Sequence, residues 1–169
     1  MKSRTLLVLI LCLCAQVIAQ SGKDKVNTLS IKGETIKEGA TVELVCASEE
    51  CWTKSDKPSY TSFKLSGKFN DRNVLISVEV PVTKGSFKVR TDKDGDLQDH
   101  ESLTVEIFGS NPAVDKESYE VQDEADEGVV SILHNDEKML EGTISVKYFD
   151  SATAVKRLSA SCHFLLRKN

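Results

Sequence analysis

The sequence lacks most of the features that mark specialised protein classes. Of its 169 residues only 6% are aromatic, with one Trp and three Pro. Nine Gly without a repeat exclude a collagen-like chain, and an apolar content of 40% excludes a wholly disordered one. No run of basic residues is present, so nucleic acid and anionic membranes are poor partners. At roughly 150 residues per domain, the length is that of one globular domain.

Long apolar runs are confined to the N-terminus, where Lys2 and Arg4 precede the uncharged stretch 6–15 (LLVLILCLCA). This stretch is shorter than the roughly 20 apolar residues of a spanning helix, and a small-residue site, Val17-Ile18-Ala19, follows it. We therefore predict a signal peptide over residues 1–19, secretion to an extracellular or periplasmic location, and no membrane span. Without this peptide the chain keeps 20 Lys and Arg against 26 Asp and Glu, a net charge of −6.

Three of the five cysteines lie beyond the predicted signal peptide: Cys46, Cys51 and Cys162. An odd number in an exported protein leaves one thiol unpaired within the chain. The polar loop 47–50 can make a tight reversal, which predicts a Cys46–Cys51 bridge and a buried free thiol at Cys162. A Cys46–Cys162 bridge, or no bridge, are the alternatives. The cysteines have no nearby His at a zinc-ligand spacing, so a metal site is not expected there.

Beyond residue 28 apolar residues alternate with polar ones. The alternating segments are Leu29–Ile31, Val42–Cys46, Phe63–Leu65, Val74–Val80, Phe87–Val89, Leu103–Ile107, Val130–Ile132, Ile144–Tyr148 and Leu158–Leu166. A period of two places one face of a strand on a core and the other in water. Gly, Asn, Asp and Pro between the segments supply the turns. About nine or ten short strands result.

Short turns between successive strands predict antiparallel pairing. The predicted fold is therefore an all-β, antiparallel β-sandwich, with a closed β-barrel as the alternative. We expect a flexible N-terminal segment over 20–27 and a single domain over 28–167. The last three predicted strands form a meander. The acidic stretch 115–127 contains too few apolar residues for a helix and is interpreted as a polar loop.

The most distinctive local feature is the segment 91–101 (TDKDGDLQDHE), which is rich in carboxylates around a single Gly. Calcium binds several oxygen ligands held by a tight turn. The candidate ligands are Asp92, Asp94, Asp96 and Glu101. However, the cation Arg90 stands at the first ligand position and the flanks alternate like strands, which favours a solvated hairpin loop. We therefore expect no cofactor, with calcium as the alternative.

Trp52 and Tyr60 flank the polar stretch 53–59, which contains Lys54. Aromatic side chains on such a loop can anchor a partner or stack on a sugar. Trp52, Lys54 and Tyr60 are therefore the candidate binding residues, and an extracellular protein or a glycan is the expected partner. The competing interpretation is that Trp52 folds back and caps the core, which the usual burial of Trp favours.

Catalysis finds little support in the sequence. The three histidines, His100, His134 and His163, lie in separate segments, and none stands in a recognisable nucleophile motif. No catalytic residue is assigned. The predicted function is a secreted, non-enzymatic module that acts in protein or glycan recognition. The alternatives are a β-barrel that encloses a small apolar ligand and an extracytoplasmic hydrolase.

Overall fold

The computed structural model describes residues 25–46, 52–54, 60–89, 102–111, 113–121, 126–149, 153 and 155–167, and the regular elements within these ranges are all β-strands. In chain order they are β1 (Thr28–Gly33), β2 (Ala40–Cys46), β3 (Trp52–Lys54), β4 (Tyr60–Phe69), β5 (Arg72–Pro81), β6 (Gly85–Lys88), β7 (Ser102–Phe108), β8 (Lys116–Glu120), β9 (Glu127–Asn135), β10 (Met139–Phe149) and β11 (Lys156–Arg167). The all-β prediction is confirmed.

The strands form one curled antiparallel sheet. Its order is β6-β9-β10-β11-β1-β2-β4-β5-β7-β8, and β3 adds to β4 off this path. The predicted meander of the last three strands is confirmed, since β9, β10 and β11 are neighbours. Strand β1 is inserted between β2 and β11, so that Leu29 stands opposite both Val42 and Cys162.

Strand β2 connects the two parts of the sheet. Its first four residues, Ala40–Glu43, pair with β1, whereas Leu44–Cys46 pair with β4. Gly67 in β4 makes the close crossing feasible, because a Cβ there would collide with a methyl group of Val42 and the carbonyl oxygen of Glu43. The backbones of β2 and β4 therefore approach at a point where only glycine fits.

The core is built by the alternation seen in the sequence. In β5, Val74, Ile76, Val78 and Val80 are all buried, and the residues between them are only half-buried. Burial of each such side chain contributes about 1.5–3 kcal/mol. Phe63 of β4 and Phe164 of β11 meet with ring centroids 4.8 Å apart. Their strands are separated by β1 and β2 in the sheet, so this contact results from the curl.

Two strands were not expected. The interpretation of 115–127 as a loop is wrong for β8, which occupies Lys116–Glu120. The first two residues of the polar stretch 53–59 belong to β3, which was not predicted as a strand. Strand β8 is rich in Lys and Glu, which are depleted in strands, and Tyr119 is its only buried residue. It forms because its backbone pairs with the whole of Thr104–Phe108. Tertiary pairing therefore overrides a weak local preference.

Asn27, the last residue of the predicted segment 20–27, makes hydrogen bonds through its side chain and its backbone. Its side-chain amide donates to the carbonyl of Leu165 (2.9 Å), and its side-chain oxygen accepts from the N–H of Leu165 (2.7 Å). Its own carbonyl accepts from Leu44 N–H at 2.7 Å. Asn27 adopts a φ of 56°, a left-handed conformation that Asn tolerates better than most residues. Asn27 thus ties the start of β1 to β2 and β11.

The structure excludes one of the disulfide pairings considered from the sequence. Cys162 is free and buried, so the alternative Cys46–Cys162 bridge is wrong. Burial raises the pKa of the Cys162 thiol to about 12. Cys46, at the end of β2, is disulfide-bonded. Cys51 lies outside the described residues, and the Cys46–Cys51 pairing therefore stays a prediction.

No helix long and apolar enough to cross a membrane occurs in the part of the chain that the structure describes.

Candidate functional site

A cleft opens where edge strand β8 faces the end of β10 and the start of β11. We call it the tyrosine cleft. Its walls include Tyr119, Glu120, Asp126, Tyr148, Phe149 and Arg157, and its volume is about 360 Å³. This size lies at the lower end of the range for small-molecule sites. The residues come from three strands and from the approach to β9, so the cleft exists only in the folded sheet.

Two tyrosine rings form the floor of the cleft. Tyr119 of β8 and Tyr148 of β10 are 4% and 3% exposed, and their ring centroids are 5.5 Å apart. Each is an inward-facing residue of its strand. Strands β8 and β10 are not neighbours in the sheet, so the contact closes one end of the curl.

The hydroxyl of Tyr119 has a hydrogen-bond partner. It donates to Glu117 Oε2 at 2.5 Å, and Glu117 Oε1 lies 3.6 Å from an Arg72 nitrogen. The guanidinium of Arg157 lies over the Tyr119 ring, 5.5 Å from its centroid. Burial, and then the bond to the Glu117 carboxylate, raise the pKa of Tyr119 to about 12. Tyr119 is thus a fixed and neutral part of the wall.

The hydroxyl of Tyr148 differs. It is buried and has no hydrogen-bond partner among the described residues. Burial raises the pKa of Tyr148 above its ordinary value, and the negative charges of Asp126 and Glu120 raise it further. A buried hydroxyl without a partner costs about 1–3 kcal/mol. Tyr148 lines the cleft, so its hydroxyl is a candidate hydrogen-bond partner for a ligand there.

Charges of both signs line the cleft. The Asp126 carboxylate is held by the backbone, since its Oδ1 accepts the N–H of Phe149 at 2.8 Å. The Arg157 side chain is 44% exposed, and its Nε lies 3.5 Å from Glu34 Oε2. The cation is therefore partly compensated from outside the cleft, whereas two carboxylates, Glu120 and Asp126, belong to the cleft itself.

Two of the predicted binding residues, Trp52 and Tyr60, are buried. Trp52 and Tyr60 are only 6% and 7% exposed. Strand β3 places Trp52 opposite Phe63 and Lys54 opposite Thr61. The side chain of Lys54 lies outside the described part of the chain. The rings of Trp52 and Tyr60 thus present little surface to a partner, and Trp52 belongs to the hydrophobic core as the capping interpretation predicts.

The predicted calcium ligands, Asp92, Asp94, Asp96 and Glu101, lie outside the described residues, so this site stays a prediction. Within the ranges that the structure describes, no group of three or more His, Cys, Asp or Glu side chains is arranged to hold a metal ion.

The histidines in the described ranges belong to local pairs. His134 Nε2 lies 2.6 Å from Asp136 Oδ2 in the turn after β9. This contact, and then the N–H groups of Lys138 and Met139, lower the pKa of Asp136 to about 2. His163 is half-exposed on β11 and lies 2.9 Å from Glu141 Oε1. His100 lies outside the described residues.

A second cavity, of about 340 Å³, lies beside His163 and is lined mainly by small polar side chains such as Thr28 and Ser161. No buried polar side-chain atom without a partner lines it among the residues the structure describes. The tyrosine cleft is therefore the stronger candidate site.

The sequence did not point to this cleft. Tyr148 is one alternating residue in a long strand, and Tyr119 stands in the acidic stretch interpreted as a loop. The only local signal is the pair Tyr119 and Val121, both of which are buried. Their alternation with charged residues is consistent with a short strand.

Comparison with known proteins gives no relative: no family model, no curated protein and no solved structure matches the chain. The function is therefore inferred from the geometry of the chain itself.

Proposed function

We propose that the protein is an exported, non-enzymatic recognition module that binds its ligand in the tyrosine cleft. The observation that carries this proposal is the buried hydroxyl of Tyr148, which has no partner among the described residues and belongs to a residue that lines a cavity of about 360 Å³. The cost of such a group is recovered when a ligand supplies the missing hydrogen bond.

Export is supported by the N-terminal region of the sequence. The charged start and the apolar run 6–15 are typical of a secretory signal, and the disulfide at Cys46 fits an oxidising compartment. N-terminal sequencing of the protein recovered outside the cytoplasm should begin at Gln20. A protein that retains residues 1–19 contradicts this part of the proposal.

The proposed bridge is Cys46–Cys51. The register supports it, because Cys46 stands opposite Leu65 and Trp52 stands opposite Phe63, two positions along β4. Cys46 and Trp52, the residue after Cys51, therefore stand close together along β4, which suits a bridge between the two neighbouring cysteines. Alkylation of the unfolded, unreduced protein should modify one cysteine, Cys162. Modification of two or more contradicts an intramolecular bridge.

A sandwich is proposed in preference to a closed barrel, because the order of the described strands ends at β6 and β8 without pairing these two strands. The ring contact between Phe63 and Phe164 supports a filled interior. A recognition module is therefore preferred to a barrel that encloses an apolar ligand. A hydrolase is less well supported, because the described histidines have carboxylate partners away from the tyrosine cleft.

Binding is tested by thermal shift with small amines, sugars and organic acids. A ligand at one hundred times its Kd stabilises a protein by about 2.7 kcal/mol, which is readily measured. Ser118 of β8 is exposed and lines the cleft, so Ser118→Trp should block it. Thr41→Trp, at an exposed position of β2, is the matched control.

At least one compound should raise the Tm of the wild type and of Thr41→Trp but not of Ser118→Trp. Recovery of that compound unchanged supports a non-enzymatic role, and its conversion to product indicates an enzyme. The proposal is contradicted if no compound raises the Tm, or if Ser118→Trp responds like the wild type.

A further inference from the structure

We infer that the tyrosine cleft binds the primary ammonium group of an organic amine. This inference rests on the proposed function and assigns its ligand chemistry. Three features of the residues that line the cleft point to it: the unpartnered hydroxyl of Tyr148, the carboxylates of Glu120 and Asp126, and the aromatic rings of Tyr119 and Tyr148.

The charge of the cleft favours a cation. Glu120 and Asp126 both line it, and both disfavour a negative charge on the Tyr148 hydroxyl. Arg157 is the one cation in the described wall, and Glu34 Oε2 lies 3.5 Å from its Nε. An anionic ligand would therefore meet two carboxylates and a guanidinium that already has a partner. A cationic ligand is attracted by both carboxylates.

The hydrogen-bonding groups favour a primary ammonium over a quaternary one. An ammonium group carries three donors. One can bond to the oxygen of Tyr148, and the others face the carboxylates. Asp126 is well placed for this role because the Phe149 N–H fixes its Oδ1 at 2.8 Å. A quaternary ammonium has no donor and leaves the Tyr148 hydroxyl without a partner.

The aromatic lining supplies the rest of the binding surface. Tyr119 and Tyr148 are in contact at 5.5 Å, and the half-buried ring of Phe149 lines the same cleft. A cation near an aromatic face is attracted to the ring, and an apolar stem beside it is removed from water. The volume of about 360 Å³ suits a small amine or the end of a lysine side chain.

The test compares ligands of one shape and three charges on the intact, naturally processed protein. Phenethylamine, 2-phenylethanol and phenylacetate share an aromatic stem and carry a positive, zero or negative charge. Calorimetry should show binding of phenethylamine and at least about tenfold weaker binding of the other two. Equal or tighter binding of 2-phenylethanol or phenylacetate overturns the inference.

The source of the ammonium group is distinguished by a second arm. Nα-acetyllysine amide presents the same group on a peptide side chain. Tighter binding of this compound than of phenethylamine assigns the cleft to lysine side chains of a protein partner, and weaker binding assigns it to a free amine. Binding of glucose or galactose in place of both amines overturns the inference.

Variants locate the binding site. Tyr148→Phe removes only the hydroxyl and should weaken phenethylamine binding about fivefold. Asp126→Asn keeps an acceptor for Phe149 N–H but removes the charge, and should weaken it about tenfold. The neighbouring Glu127→Gln is the control, because its carboxylate pairs with Lys147 at 2.6 Å outside the cleft. Unchanged affinity in both cleft variants overturns the inference.

The results separate this inference from the proposed function. If a neutral or anionic compound binds and Ser118→Trp abolishes its binding, the recognition module stands and the ammonium ligand is wrong. If neither the amines nor any other probe binds, both are wrong. Near-ultraviolet circular dichroism of each variant confirms that the native packing is retained.

Discussion

Two pairs of aromatic rings connect strands that are not neighbours in the sheet, and their surroundings differ. Phe63 and Phe164 lie 4.8 Å apart in the core, and Tyr119 and Tyr148 lie 5.5 Å apart beneath the cleft. All four rings are at most 4% exposed. Burial alone therefore does not distinguish the core from the candidate site. The distinction comes from the hydroxyl groups, of which one is bonded to Glu117 and the other has no partner among the described residues.

The largest expected effect is on the phenylalanine pair. Phe164→Ala removes a fully buried ring and leaves a cavity opposite Phe63, so it should lower the free energy of unfolding by about 3–5 kcal/mol. Urea unfolding measures the change. Leu133→Ala is the control, because Leu133 is 51% exposed and its loss should cost no more than about 0.5 kcal/mol. A loss below about 1 kcal/mol for Phe164→Ala would show that this pair is not the centre of the core.

A smaller effect is expected from the glycine beside that pair. A Cβ on Gly142 would collide with the Ser131 carbonyl oxygen and lie 2.5 Å from Phe164 Cζ. Gly142→Ala should therefore destabilise the protein by about 1–3 kcal/mol. In Gly109→Ala the nearest contact is the end of the Asp115 side chain at 3.3 Å, which can move. Chemical denaturation should rank Gly142→Ala as the more harmful change, and the reverse order contradicts the packing described.

Removal of the hydroxyl should change the stability of the protein in opposite directions at the two tyrosines. Tyr119→Phe removes a hydroxyl that bonds to Glu117 and should destabilise the protein by about 1 kcal/mol. Tyr148→Phe removes a buried hydroxyl without a described partner and should stabilise it by a similar amount, about 1 kcal/mol. Thermal unfolding of both variants without ligand checks the signs. If Tyr148→Phe destabilises the protein, the hydroxyl has a structural role.

The smallest effect appears only at alkaline pH. The folded-state pKa of Tyr119 is raised to about 12, and that of Tyr148 is raised as well. Folding thus favours the neutral phenols, and this contribution is complete below the unfolded pKa of about 10 and is lost as the pH rises through the folded pKa. The Tm should fall between about pH 10 and 12, and less so in Tyr148→Phe. An equal fall in that variant would show that Tyr148 does not contribute to the alkaline loss.

The strands with strong alternation were predictable from the sequence. In β5 every second residue is a buried Val or Ile, and β10 and β11 alternate over most of their length. Such a pattern shows directly which side of a strand faces the core. Strand β8 was missed because Tyr119 is its only buried residue and charged residues surround it. Strand β3 has three residues, too few for an alternation to be recognised.

The candidate site was not predictable from the sequence, because it forms only when folding brings separate segments of the chain together. Tyr119 and Tyr148 lie far apart in the chain, and strands β8 and β10 share no backbone pairing in the sheet. Nothing in the local sequence around Tyr148 indicates that its hydroxyl is buried without a described partner. Trp52 is the opposite case. Its position beside a polar stretch made it a candidate binding residue, but its side chain lies in the core.

The position of β1 has a consequence for how the chain assembles. Leu29 is paired with Val42, which follows soon in the chain, and with Cys162, which belongs to the last strand. Pairings between distant residues form slowly because the intervening chain must first be closed into a loop. A chain emerging from the ribosome can join β1 to β2, but the other side of β1 stays open until β11 arrives. We therefore expect the first strand of the fold to be among the last to receive its full set of backbone hydrogen bonds.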